Sequence, residues 1–242
     1  MTNRRQTVLI TGAAKRIGRM MSLHLAKRGC DIAIHYNKSK KAAIDLQKSL
    51  QEQFVSQNFK IFQADLSNAQ DCDELIDKVL KQFENLDILI NNASVFEPSV
   101  IRETSIKLFQ NQINVNLLAP FILSRNYAMN SHQGVIVNFL DTRITTNSNS
   151  HAAYSISKVA FAHLTKMAAL EFAPQIRVNG IAPGATLPPE NQGEEYLVNL
   201  ARNTPMKEPG GIVPVLQSLD YIIDNKNLTG QILYCDGGEQ LL

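Results

Sequence analysis

Thr7-Val-Leu-Ile-Thr-Gly-Ala-Ala-Lys-Arg-Ile-Gly18 is the stretch from which the fold can be read. The run Thr7 to Ile10 is short, apolar and β-favouring. It enters a glycine turn and then the segment Ile17 to Arg28, whose apolar residues recur at helical spacing. A strand feeding a helix through a glycine turn is the opening of a βαβ unit. The alternation continues outward, with strands predicted at Asp31 to His35, Phe59 to Gln63 and Leu86 to Ile90, and helices at Lys40 to Gln53 and Ala69 to Phe83. Further on, helices are predicted at Lys107 to Met129 and Ala153 to Phe172, and strands at Gly134 to Phe139, Ile176 to Ile181 and Gln231 to Tyr234.

Short apolar strands between amphipathic helices predict an α/β fold, a doubly wound parallel sheet with helices on both faces, which is the Rossmann arrangement. A length of 242 residues fits one such domain and is too short for two. Charge is nearly balanced, 24 basic against 22 acidic residues, with no long run of one sign, so a nucleic-acid footprint is not expected. Cys30, Cys72 and Cys235 are scattered and odd in number, which argues against a disulfide framework or a zinc site and reads as buried free thiols. No stretch reaches transmembrane length, and Val8 to Ile10 is too short for a signal-peptide core, so a cytoplasmic protein acting on small molecules is expected. The segment from Pro183 to about Pro214 is rich in Pro, Gly and Asn and reads as a long functional loop or lid.

The glycines of the first turn permit close approach of the backbone to a pyrophosphate, and the helix that follows presents free N–H groups and a positive dipole end. After the second strand the chain reads His35-Tyr-Asn-Lys-Ser39, without the acid that would hold ribose hydroxyls. Lys38, Ser39 and Arg16 can instead bind a 2′-phosphate dianion, which favours NADPH over NADH. Asp65, after the third strand, either bonds the adenine or caps the next helix. Asn91-Asn92-Ala93-Ser94 directly follows the fourth strand, where ligands of open α/β sheets bind. Farther along stand Asn116, Asp141 and the run Tyr154-Ser-Ile-Ser-Lys158. Lys158 lies one helical turn beyond Tyr154, and a nearby ammonium favours a phenolate and lowers the tyrosine pKa.

These pieces, in this order, resemble the short-chain dehydrogenase/reductase family. The resemblance runs from Val8 to the closing Thr229-Gly-Gln231 and Asp236-Gly-Gly238. It departs from the family at two places: Arg16 stands where the middle glycine of the turn normally falls, and Asp141 where a serine normally stands. The resemblance implies Asn116, Asp141, Tyr154 and Lys158 as catalytic residues. It implies cofactor contacts from Gly12, Arg16, Ile17, Gly18, His35, Asn37, Lys38, Ser39, Asp65, Asn92, Ala93, Ser94, Tyr154, Lys158, Pro183 and Gly184.

An ionised Asp141 would repel the oxyanion of a reduced ketone and raise the tyrosine pKa, so it disfavours ordinary carbonyl reduction. A C=N substrate presenting N–H donors suits a carboxylate better. The chain is in this respect similar to the pteridine reductases of the family, with Lys15 to Gly18, His35 to Ser39, Asn91 to Phe96 and Asp141 carrying the likeness. That likeness implies a pterin stacked on Phe96, contacts from Arg16 and Ser94, and hydrogen bonds and proton relay from Asp141 and Tyr154. Hydride would pass to C6 of a 7,8-dihydropterin, with dihydrofolate and oxidised pterins as further candidates. Leu187-Pro-Pro-Glu190 would belong to the substrate lid. Two other readings stay open: a reductase of a ketone, quinone or acyl thioester with Asp141 protonated or turned away, and a non-catalytic NADPH-binding sensor. The family resemblance also implies a homotetramer built through the helices around Lys107 to Met129 and Ala153 to Phe172. A face containing Phe161, Leu164 and Ala168 would serve that assembly or pack on the sheet.

Overall fold

The computed structural model describes residues 4–146, 149–189 and 191–242. Its elements run β1 (Thr7–Ile10), α1 (Arg16–Lys27), β2 (Asp31–Tyr36), α2 (Lys40–Gln53), β3 (Phe59–Gln63), α3 (Ala69–Leu80) and β4 (Ile88–Asn91). They continue with α4 (Ile106–Ile113), α5 (Ala119–Asn130), β5 (Gly134–Phe139), α6 (Ala152–Phe172), β6 (Ile176–Pro183), α7 (Glu194–Ala201), α8 (Val213–Asp224) and β7 (Ile232–Cys235). All the strand pairs are parallel, in the order β3-β2-β1-β4-β5-β6-β7. The strand order reverses between β1 and β4, which opens a crevice beyond their carboxyl ends.

Strand alternation divides the core into two layers. Val8, Ile10, Ile32, Ile34, Ile88, Ile90, Val135 and Val137 point to the side covered by α1, α2 and α8. Leu9, Ala33, Leu89, Ile136 and Val178 point to the side covered by α3, α5 and α6. Both layers are closed to water, and each fully buried Leu or Ile stabilises the fold by about 1.5–3 kcal/mol.

Three features differ from the sequence reading, and one alternative that it left open is decided. The expected helix Lys107 to Met129 is broken into α4 and α5 by a π-helical turn at Asn114–Leu118. The irregular stretch from Pro183 contains α7, and α8 begins at its end. Pro214 stands in the first turn of α8, where its missing N–H leaves no bond unmade, so it starts a helix there instead of ending a loop. Phe161 and Ala168 are buried and Leu164 packs against the core, so that face of α6 turns inward; its exposed apolar residues are Ile156, Val159, Met167 and Leu170. Cys30 and Cys72 are buried thiols, whereas Cys235 is half-buried. No helix among the described residues is long and apolar enough to cross a membrane.

Candidate active site

The glycine turn is built around hydrogen bonds from three strands. Thr11 Oγ accepts from the N–H groups of Asn92 (2.9 Å) and Ala93 (3.0 Å), and Asn92 Nδ2 donates to the Thr11 carbonyl at 2.8 Å. Gly12 adopts φ +64°, in the left-handed region. A Cβ on Gly18 would lie 2.2 Å from the Gly12 carbonyl oxygen, so this position leaves no room for a side chain. His35, expected to touch cofactor, stands behind the turn. It is buried, its Nδ1 accepts from Gly12 N–H at 3.0 Å, and its Nε2 faces the Ala64 carbonyl at 3.1 Å. Those partners fix the Nε2–H tautomer, and burial lowers its pKa to about 4. Its role is therefore to hold the turn.

Arg16 also has φ +50°, and its guanidinium crosses to the segment after β6, donating to the carbonyls of Pro188 (3.0 Å) and Leu187 (3.3 Å). Glu190, expected in the same segment, lies outside the described residues. Ile17 packs against the core from the start of α1. Lys38 is exposed and Ser39 precedes α2, both beside the end of β2. Asp65 accepts from Ser67 N–H (3.0 Å), Ser67 Oγ (2.8 Å) and Asn37 Nδ2 (3.1 Å), and these bonds hold its carboxyl below the usual range. It does not cap α3, because Asn68 does that by accepting from Gln70 and Asp71 N–H. Pro183 ends β6, and Gly184 N–H donates to the Cys235 carbonyl at 3.0 Å.

At the ends of β4, β5 and α6 the expected reactive residues come together. Tyr154 Oη donates to Asp141 Oδ2 at 2.7 Å, while Asp141 Oδ1 accepts from Arg143 N–H at 2.9 Å. Burial and the Asp141 carboxylate push the Tyr154 phenol well above its ordinary value, against smaller opposing effects of Arg143 and Ser94. The raising expected of an ionised Asp141 therefore prevails, together with burial, over the lowering expected of the Lys158 ammonium. Lys158 is buried, its Nζ donates to the Phe139 carbonyl at 2.7 Å, and burial lowers its pKa to about 8. It lies 5.7 Å from the centre of the Tyr154 ring. Asn116, carried by the π-helical turn, accepts from Ser94 Oγ (3.0 Å) and Val95 N–H (2.9 Å) and donates to Ser157 Oγ at 3.1 Å.

Phe96 is half-exposed beside this group, with its ring edge-on to Tyr154 at 4.6 Å. Two neighbours were missed from the sequence. The His151 ring stacks on Phe96 at 4.1 Å and 7°, and the Arg143 guanidinium carbon is 5.5 Å from its centre. His151 is placed by main-chain bonds that join Ser99 to Ser150 and Ala152. Glu239, in the turn Glu239–Leu241 near the C-terminus, has its carboxyl raised first by burial and then by Asp141 and Asp236.

The model of the family described as short chain dehydrogenase matches residues 6–195. The chain belongs to the short-chain dehydrogenase family. Several of its relatives are curated. This short-chain dehydrogenase is 30% identical to the NADPH-dependent aldehyde reductase 1, chloroplastic, of Arabidopsis thaliana, covering 97% of this chain and 86% of that one. It is 29% identical to a dihydromonapterin reductase of Escherichia coli O6:K15:H31, covering 97% and 96%. Among solved structures, FolM alternative dihydrofolate reductase 1 from Brucella canis, complexed with NADP, superposes with a TM-score of 0.90. The two share 30% identity, over 98% of this chain and 95% of that one.

Proposed function

We propose that the protein is an NADPH-dependent reductase of 7,8-dihydropterins, adding hydride at C6 and a proton at N5. The observation that carries this reading is the 2.7 Å bond from Tyr154 Oη to Asp141. In a carbonyl reductase the group beside the tyrosine donates to the developing oxyanion, and a carboxylate cannot do so unless protonated. With the phenol proton directed to Asp141, the pair presents a carboxylate acceptor to the N–H groups of a heterocycle, and the phenol would donate to its C=N nitrogen on turning from Asp141. Phe96 supplies a flat, half-exposed surface, and the imidazole stacked on it is the same kind of partner as a nitrogen heterocycle. The dihydromonapterin reductase and dihydrofolate reductase among the relatives support the same substrate class.

The residues fit a dinucleotide. The absence of room for a Cβ at Gly18, with Gly12 in the left-handed region, leaves a turn at which backbone N–H groups approach a ligand closely. Lys38 and Ser39, with no acid after β2, suit a 2′-phosphate, and Asp65 with Asn37 stands near the adenine end. Asn92, Ala93, Ser94, Pro183 and Gly184 would line the nicotinamide end, with Lys158 at the ribose. NADPH, when bound, supplies the hydride. Tyr154 Oη delivers the proton to N5, and Asp141 holds the phenol in its neutral, donating form until transfer. Lys158 and Asn116 hold the surrounding hydrogen-bond chain that restores that proton. The homotetramer belongs to the same reading: Ile156, Val159, Met167 and Leu170 leave an apolar stripe exposed on α6, and light scattering should give four times the chain mass.

The test is NADPH oxidation with 7,8-dihydrobiopterin, 7,8-dihydromonapterin and dihydrofolate, beside ketones, aldehydes and quinones, for wild type and Asp141→Ser. Preferential dihydropterin turnover that falls at least a hundredfold in Asp141→Ser is expected. Turnover of aldehydes or ketones with inert pterins would reject the reading in favour of a carbonyl reductase. NADPH binding without turnover of either class would favour a sensor.

A further inference from the structure

Glu239 brings to the candidate site a carboxyl group that the Tyr154–Asp141 pair does not use. Asp236 shapes the turn that carries it, accepting from Gly238 N–H at 2.9 Å and Gln240 N–H at 2.8 Å. Gly237 and Gly238 take left-handed φ values of +64° and +86°, which bend the chain back after β7. The turn Glu239–Leu241 thereby packs against the turn Thr142–Ile144, which directly follows Asp141. Glu239 also borders Gly184, where an added Cβ would lie 3.2 Å from Glu239 Oε2. The carboxyl is half-buried and feels the charges of Asp141, Asp236 and Arg143. Among the described residues, no hydrogen bond or ion pair engages its side chain.

A carboxyl drawn partly out of water and given no donor is an unmet acceptor. What meets it follows from the substrate's place in the site. N5 faces Tyr154 Oη, and C6, bonded to N5, faces the nicotinamide end at Pro183 and Gly184. The group carried on C6 therefore leaves the ring between Asp141 and Gly184, the two places that flank Glu239. Resting on the reading that the protein reduces 7,8-dihydropterins, we propose that Glu239 selects the C6 side chain, bonding the hydroxyl groups of a short polyol and disfavouring the anionic tail of a folate. A hydroxyl donates to a carboxylate and accepts from a protonated carboxyl, so it suits Glu239 in either state. A site that hydrogen-bonds a substrate hydroxyl also rejects the analogue that lacks it, because its own polar group is then left unpaired. A tail ending in carboxylates adds like charge near Asp141, Asp236 and Glu239, with Arg143 opposing. Those carboxylates lie beyond an aminobenzoyl spacer and are screened, so their repulsion is the smaller of the two effects.

The experiment measures kcat/KM with NADPH for 7,8-dihydromonapterin, 6-methyl-7,8-dihydropterin and dihydrofolate, in wild type, Glu239→Gln and Glu239→Ala. The methyl substrate has the same ring and no side-chain hydroxyl, so a ratio taken to it cancels any general loss of activity. Wild type should favour dihydromonapterin over the methyl substrate by about tenfold or more. Glu239→Ala should cut that ratio at least fivefold, chiefly through the KM of dihydromonapterin. Glu239→Gln keeps an acceptor oxygen and loses the charge. It should cut the ratio less than alanine does and raise the dihydrofolate-to-methyl ratio at least threefold; this variant decides the point alone if alanine loosens the turn. Variants whose ratios equal those of wild type, including variants in which all three substrates fall alike, overturn the inference. A wild type that reduces none of the three rejects the function reading and the inference with it, and this is recognised before any variant is compared.

Discussion

Lys158→Met should make the protein more stable at neutral pH and inactive. Lys158 is buried, and its pKa falls from 10.5 to about 8 in the folded chain. That fall corresponds to about 3 kcal/mol by which folding at pH 7 is opposed, because the buried ammonium must stay charged or give up its proton. Methionine fills a similar volume with apolar atoms and carries no such penalty. It loses the 2.7 Å bond to the Phe139 carbonyl, worth about 1 kcal/mol net. The expected gain at pH 7 is about 2 kcal/mol, or about 4–8 °C in Tm for a chain of this size. The sign of the pH dependence follows from proton counting. Between pH 8 and 10.5 the unfolded wild type binds more protons at this residue than the folded one, so wild-type stability rises through that window. The variant lacks this rise, so its advantage should vanish near pH 10 and reverse by about 1 kcal/mol above it. Urea denaturation of both proteins without ligand at pH 7 and pH 10 measures the difference, and NADPH-linked turnover should fall at least a hundredfold, in the range general for acid–base positions. A variant less stable than wild type at pH 7, or a difference that does not change with pH, would refute the reasoning.

Gly18→Ala places a methyl 2.2 Å from the Gly12 carbonyl oxygen and 2.9 Å from Asn92 Nδ2, so the turn must open. It should destabilise the fold by about 1–3 kcal/mol and weaken NADPH binding at least tenfold. Gly193→Ala meets nothing within 4 Å at an ordinary φ and should change stability by less than about 0.5 kcal/mol; thermal melts of the pair decide the point. His35, lowered from 6.5 to about 4, contributes stability that is fully present above pH 6.5 and is lost as pH falls towards 4, about 3 kcal/mol in all. His35→Gln keeps an acceptor for Gly12 N–H and a donor for the Ala64 carbonyl, so its urea midpoint should match wild type at pH 7 and change less between pH 6.5 and 4.

Where each element could be read depended on how local its cause was. The strands β1, β2, β4 and β5 are legible because a parallel strand buried on both faces is a short, largely apolar run between helical segments. The helix α8 was legible in principle. Val215, Leu219 and Ile222 recur at helical spacing and are buried, but Pro209-Gly-Gly211 and Pro214 read as the end of a loop, and no element is assigned to the residues that follow. The π-helical turn at Asn114–Leu118 has no comparable signal, since it is fixed by what Asn116 bonds across the site at Ser94, Val95 and Ser157.

The same distinction applies inside the candidate site. Asp141, Tyr154 and Lys158 were found because their spacing along the chain is itself the pattern, and the fold then brings Asp141 to Tyr154 across thirteen residues of sequence. The ring contacts of His151 and Arg143 depend on Phe96, far away in the chain and reached by way of the Ser99 bridge. Asp65 illustrates the converse. An acid just before a helix reads as its cap, yet Asn68 is better placed at the first turn, and Asp65 is left to organise Ser67 after β3 and Asn37 at the end of β2. A residue's local pattern therefore indicated that it was polar and near a strand end, whereas the partner that defines its work was set by the order of strands in the sheet.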